Sequence, residues 1–377
     1  MLFDFQWLLI GLPVVFALGW MASRFDLRQV RRENRDTPRA YFKGLNLLLN
    51  EQQDKAIDAF IEAVQNDPDT AELHFALGNL FRRRGEFERA VRVHQHLLSR
   101  ADLKASERDR AQHELAQDFM KAGLFDRAEE AFSALDGTAF AGDARLALLS
   151  LYERSRDWHN AADVAAKLEQ AGSGSFASRI AHYSCELAIE ADEHGRTDEA
   201  EAALRRAREV APSSPRPLVL TGQRLARTGN HAQAIEAWDE LRRRQPAAFV
   251  LVAADYADSA VACGGERAAR EALKALFAKL PALDLVRALD RLGAAPPLLP
   301  YLRQHPTLSA AEQWLAQAQP AWSEEGVTAL REAVTRAAKP LQRYRCAACG
   351  FEAQLYFWQC PGCLSWDSYP PQRIEEL

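Results

Sequence analysis

With 377 residues, 48% of them hydrophobic and 26% charged, the chain has the composition of a folded protein of two or more units or one extended array, not of a disordered tail. A formal net charge of -5 leaves no long-range attraction to phosphate backbones, so no nucleic acid is expected as a partner. Of the six cysteines, four form two Cys-x-x-Cys pairs near the end of the chain, while Cys185 and Cys263 stand alone in helical-looking segments and read as small buried hydrophobes. That usage fits a reducing compartment.

In chain order, Phe5 to Ala22 is an apolar run broken only by Gln6, with Trp7 and Trp20 near its ends. Its length suits a bilayer crossing, and tryptophans favour the interfaces. A cleaved signal peptide is disfavoured, because no Lys or Arg precedes the run and Arg24, Arg28, Arg31, Arg32, Arg35 and Arg39 follow it directly. Positive charge on that side keeps the body in the cytoplasm. Residues 1–23 are therefore expected to be a transmembrane anchor and 24–39 a basic juxtamembrane segment.

A helical pattern of period near 34 takes over from residue 40. Its marker is a glycine followed five residues later by alanine: Gly85 to Ala90, Gly123 to Ala128, Gly195 to Ala200, Gly229 to Ala234 and Gly264 to Ala269. Ala56 and Ala161 hold the alanine place in units without the glycine. Twelve residues before these alanines stand Gly44, Gly78, Ala116, Leu149, Ala188, Gly222 and Ala257, and Pro68, Pro212, Pro246 and Pro281 close four units. Small residues at fixed points let two antiparallel helices approach closely, and proline ends the second. The pattern resembles the tetratricopeptide repeat, which the second unit matches at Leu77, Gly78, Phe81 and Ala90. About seven repeats are expected over 40–284. After Pro281 the phase is lost. Helices around Ser309 to Gln319 and Ser323 to Ala338, each opened by a serine cap, read as degenerate repeats over 285–340.

Stacked pairs of this kind line an inner wall with their first helices. Counting from the marker positions, the second unit should present Glu72, Phe75, Asn79, Arg82 and Arg83, and the third Arg110, His113, Gln117 and Lys121. These are the candidate partner-binding residues, suited to an acidic or amphipathic segment. The alternative is that they are solvated helix faces. In the first unit the same positions are Phe42, Leu45, Leu48 and Leu49, an apolar wall expected to meet the metal module, membrane or a partner.

Residues 341–377 carry the strongest motif: Cys346-Ala347-Ala348-Cys349-Gly350-Phe351 and, after a short spacer, Cys360-Pro361-Gly362-Cys363. Two tight turns each point two sulfurs inward, so four thiolates can close a tetrahedron around one ion. Cys346, Cys349, Cys360 and Cys363 are the candidate metal ligands, for zinc or iron. The knuckles resemble those of rubredoxin. Binding metal should be what folds so short a ribbon, and Phe351, Tyr356, Phe357, Trp358 and Trp366 should pack partly over the sulfurs and partly on the repeats. No His-Glu-x-x-His, phosphate loop or Gly-x-Ser-x-Gly occurs, and the histidines are scattered singly, so catalytic residues are not expected and an enzyme is disfavoured.

The expected fold is all-α: a superhelical tetratricopeptide-repeat solenoid with an N-terminal transmembrane helix and a small C-terminal rubredoxin-like zinc ribbon. That order of parts resembles the lipopolysaccharide assembly protein B family of Gram-negative bacteria over the whole chain. The resemblance implies a non-enzymatic adaptor at the inner membrane, single-pass with its body in the cytoplasm. Such an adaptor brings the LpxC deacetylase to the membrane-bound ATP-dependent protease FtsH and so limits lipopolysaccharide synthesis. It also implies Zn2+ as cofactor, with iron as the alternative. Lipopolysaccharide itself, or its assembly and transport proteins, is a further partner class. Two other readings stay open: a general scaffold for envelope assembly, and an iron redox protein of rubredoxin type.

Overall fold

A computed structural model describes residues 42–50, 52–305, 307–316 and 324–376, together with Phe16 and Trp20. The expected transmembrane run and the arginines after it otherwise lie outside the described residues. The chain divides into two compact units at the turn between Arg156 and Asp157.

The first unit holds residues 42–49 (α1), Gln53–Asn66 (α2), Ala71–Arg84 (α3), Phe87–Ser99 (α4), Ala105–Ala122 (α5), Phe125–Ser133 (α6) and Ala141–Ser155 (α7). The second holds Trp158–Gln170 (α8), Ala177–Glu193 (α9), Thr197–Val210 (α10), Arg216–Arg227 (α11), His231–Arg244 (α12), Pro246–Phe249 (α13), Ala253–Cys263 (α14), Glu266–Phe277 (α15), Leu283–Arg291 (α16), Leu298–Gln304 (α17), Leu308–Ala316 (α18) and Glu324–Ala338 (α19). The ribbon completes it, with Tyr344–Arg345 (β1) paired antiparallel to Glu352–Ala353 (β2).

The repeat markers have a direct physical meaning. All five marker glycines sit just past a first helix with positive φ, between 71° and 85°, where a side chain would be strained. Arg156, five residues before Ala161 where the glycine is missing, takes the same conformation at φ 59°. Five residues on, the marker alanines are sealed: Ala56, Ala90, Ala128, Ala161, Ala200 and Ala234 are fully buried. Close approach is tightest at Gly222, where a methyl group would collide with the indole of Trp238, itself fully buried and bonded through Nε1 to the Val219 carbonyl at 3.3 Å.

Within the second unit, Trp238, Phe249, Tyr256, Leu273 and Leu285 belong to one extended core cluster. Among the described residues, Pro246–Cys263 is long and apolar enough to cross a membrane. Phe249, Val252, Ala253, Tyr256 and Ala257 are buried in that core, which makes the stretch a core element of the solenoid. Two sequence expectations are corrected. Ser309 does not cap α18: the Thr307 hydroxyl accepts from the Ala310 N–H at 3.2 Å, and Ser309, one residue inside the helix, bonds Glu375 instead. Cys263, at the last turn of α14, is exposed, whereas Cys185 is buried. Helix α16 spans the expected boundary at 284, and Ser323 lies outside the described residues.

Candidate metal centre and its docking face

The two knuckles are built alike. In the first, the Cys346 N–H donates to the Phe351 carbonyl at 2.9 Å and the Gly350 N–H returns to the Cys346 carbonyl at 2.9 Å. In the second, the Cys360 N–H donates to Ser365 at 2.9 Å and the Leu364 N–H to Cys360 at 2.8 Å. The residue after the second cysteine must turn left-handed in both, at φ 78° for Gly350 and 59° for Leu364. A leucine there costs about 1 kcal/mol, a strain the closed turn has to hold.

These turns bring all four sulfurs within 4.8 Å of one another. Cys346 and Cys363 lie 3.8 Å apart, Cys349 and Cys360 3.7 Å. A disulfide needs about 2 Å, so neither pair is bonded. A tetrahedron with metal–sulfur bonds of about 2.3 Å has edges of about 3.8 Å, so the spacing fits a single four-thiolate ion. One cysteine of each knuckle, Cys346 and Cys360, is buried, and its partner is exposed.

The electrostatics of the cage call for a cation. Burial would push the Cys346 thiol up, but the Ser368 hydroxyl, 3.2 Å away, and the N–H groups of Cys349 and Ala348 bring it down to about 6. The Phe351 N–H favours the Cys349 thiolate, yet the neighbouring Cys363, Cys360 and Cys346 sulfurs drive that thiol up to about 12. Ser365 holds Cys363 below its ordinary value. Sulfurs this close cannot all ionise without positive charge between them. The residues present therefore suit a bound metal, which would supply that charge and fix the two knuckles against each other.

The ribbon docks on α8, α9 and α11 of the second unit. Trp366 stacks on the buried imidazole of His182, with centroids 4.6 Å apart, and meets Trp158 and Tyr183 edge-on. The Arg216 guanidinium, buried and paired with Glu186 at 2.6 Å, lies 5.7 Å from the Trp358 ring and 5.9 Å from Trp366. Asp367 accepts from the Ser178 hydroxyl at 2.8 Å and from His182 Nε2 at 2.8 Å. Burial would raise its pKa, but the bond and charge of His182, with Ser178 and Arg216, hold the carboxyl below its ordinary value. A second latch closes the C-terminal end: Arg373 binds Asp284 at 2.9 Å, and Glu375 takes the Ser309 N–H at 3.2 Å.

Residues 344–370 match the rubredoxin metal binding domain, and 73–109 and 185–249 match the tetratricopeptide repeat. The chain is 33% identical to lipopolysaccharide assembly protein B of Escherichia coli (strain K12), over 97% of this chain and 98% of that protein. The chain belongs to the lipopolysaccharide assembly protein B family. The protein of that name from Haemophilus influenzae is 27% identical, with 98% of each chain covered. Among solved structures, a tetratricopeptide repeat protein from Parabacteroides merdae is similar, at 15% identity and TM-score 0.35, covering 68% of this chain and 99% of that one.

In this lipopolysaccharide assembly protein B family member, most of the expected inner-wall residues of the first unit serve the protein itself. Phe75 is buried and roofed by Arg110, whose guanidinium lies 4.1 Å from the ring and bonds Glu72 at 2.7 Å. Arg82 reaches Asp118 at 2.9 Å, the Glu114 carbonyl at 3.0 Å and the side chains of Glu114 and Asn79. Asp118, fully buried, also holds His94 Nδ1 at 2.5 Å. His113 stacks on Phe140 at 5.1 Å, and its burial pulls the imidazole below its ordinary pKa. Arg83 and Lys121 remain exposed, with Gln117 half-buried. In α1, Phe42, Leu45 and Leu49 are exposed and Leu48 packs against the first core. The ribbon's contacts on the repeats, Ser178, His182 and Arg216, were missed by sequence reasoning. A signal for two of them existed: His182 and Arg216 stand six residues before Ala188 and Gly222, the wall position that Glu72 and Arg110 occupy before Gly78 and Ala116.

Proposed function

We propose that this chain is an inner-membrane-anchored cytoplasmic adaptor, not an enzyme, which regulates lipopolysaccharide synthesis by bringing the LpxC deacetylase to FtsH for proteolysis. The observation that carries this reading is the end-to-end likeness to lipopolysaccharide assembly protein B, covering 97% of the chain. On this reading Phe5 to Ala22 crosses the membrane, and the exposed Arg83 and Lys121 with Gln117 offer the client a polar, partly basic surface. Confinement to the plane of the protease raises the effective concentration of a captured client without demanding tight contacts. The proposed metal is zinc, held as a structural staple by Cys346, Cys349, Cys360 and Cys363.

Deleting Met1 to Ala22 tests the anchoring. The body should still fold while client degradation in cells stops; unchanged client turnover would overturn it. The protein purified from iron-replete cells should be colourless, and a visible thiolate-to-iron absorption would instead assign iron and the redox reading.

A further inference from the structure

A cavity of about 330 Å³ opens at the seam between the terminal helices and the ribbon. Its walls are Arg287 of α16, Ser309 of α18, Lys339 just after α19, Gln342, and, from the ribbon, Gln354 and Arg373. Among the described residues that line it, three are cations and none is a carboxylate. The nearby acids are already engaged. Asp284 is shared by both guanidiniums, at 3.2 Å from Arg287 and 2.9 Å from Arg373, and Glu375 is taken by Ser309. Glu375 bonds only the neutral Ser309 and so keeps its charge; with Asp284 it offsets two of the three lining cations. Lys339, exposed and without an ion pair among the described residues, carries the remaining positive charge.

We propose that this cavity binds a phosphate group, either free or as the monoester headgroup of a lipid. Guanidinium N–H groups not spent on Asp284 present the paired donors that tetrahedral oxyanions accept, Lys339 supplies a mobile point charge, and the Gln342 and Gln354 amides can donate to the remaining oxygens. Because Arg287 belongs to the solenoid and Arg373 to the ribbon, one bound phosphate ties the two together across the seam. The site is open to solvent, so its affinity is modest and falls as salt rises.

The test uses the full metal-loaded chain in neutral detergent. It is titrated calorimetrically with inorganic phosphate, and separately with a short-chain phosphatidic acid, against sodium chloride of matched ionic strength and phosphatidylcholine of the same chain length. Saturable binding of at least one phosphate form is expected, and the tighter of the two identifies the source. Gln354→Glu, which places a carboxylate at the mouth without touching the Asp284 pairs, should weaken it about tenfold, and Lys339→Gln several-fold. No saturable binding of either form beyond the controls, or binding unchanged in both variants, overturns the proposal.

Discussion

The indole of Trp366 lies flat on the imidazole of His182, planes 15° from parallel, and this pair joins the ribbon to α9. Below it Asp367 turns left-handed, at φ 51°, so that its carboxylate reaches His182 and Ser178 while its N–H holds the Trp358 carbonyl at 2.9 Å. Stacking, cation–π contact and hydrogen bonding thus converge on one turn of the ribbon.

Trp366→Ala should lower the stability of the metal-loaded protein by about 2–4 kcal/mol, through lost burial and lost ring contacts. Urea unfolding of the full chain measures it. Trp366→Phe should recover most of the loss, and a neutral alanine variant would show that the ribbon is held elsewhere.

Docking should depend on acidity through Asp367. Its carboxyl is held below the ordinary value, so its contribution is present above the unfolded pKa of about 4 and is lost as the pH falls through the lower folded value. Acid also strips metal from thiolates, so the informative quantity is the stability difference between wild type and Asp367→Asn. That difference should stay level from pH 7 to about 5 and shrink below about 4.

Replacing Cys346 and Cys349 with serine, or chelating the metal, should unfold the ribbon and spare the repeats. Far-ultraviolet circular dichroism should change little, while amide exchange across residues 344–369 should rise by orders of magnitude. Native mass spectrometry should find one metal ion per wild-type chain and none in the double variant. Protection unchanged without metal would show that the ribbon folds unaided.

In the first unit, Arg82→Ala should cost about 3–5 kcal/mol, because it strands the fully buried Asp118 without its guanidinium. Lys121→Ala, at an exposed position, should stay within about 0.5 kcal/mol. Thermal or urea unfolding separates the two, and a mild Arg82 variant would return that residue to the list of free wall residues.

Gly222→Ala should destabilise the second unit by about 1–3 kcal/mol, since the methyl must displace Trp238 from a packed core. Calorimetric unfolding reads this directly, and an unchanged transition would show that the indole can move.

The helix pairs and the sulfur cage were legible in the sequence because each follows from residues close together in the chain. A left-handed glycine five places before a sealed alanine repeats the same local geometry, and two Cys-x-x-Cys turns need only a short spacer to face each other. That the ribbon docks was legible in its excess of aromatics, and Trp358 and Trp366 do meet the repeats. Where it docks was not, because the contact joins Ser178 and His182 to Asp367 across nearly half the chain, and only tertiary packing fixes that pairing. Ser309 misled for a related reason: its residue type suits a cap, yet its hydroxyl is committed to the chain's last turn. Counting along the first unit's helices says nothing about whether neighbouring side chains satisfy one another, as Arg110, Glu72 and Phe75 do.

Arg110 and Arg216 occupy the same register in their repeats, and both lay a guanidinium over an aromatic ring. For Arg110 the ring is Phe75, supplied by the neighbouring repeat, so that stretch of wall is shut from within. For Arg216 the rings are those of Trp358 and Trp366, from far along the chain. At these two positions one residue type does two jobs: in one repeat it closes the wall on a neighbouring phenyl, and in the other it receives the indoles of a separate module.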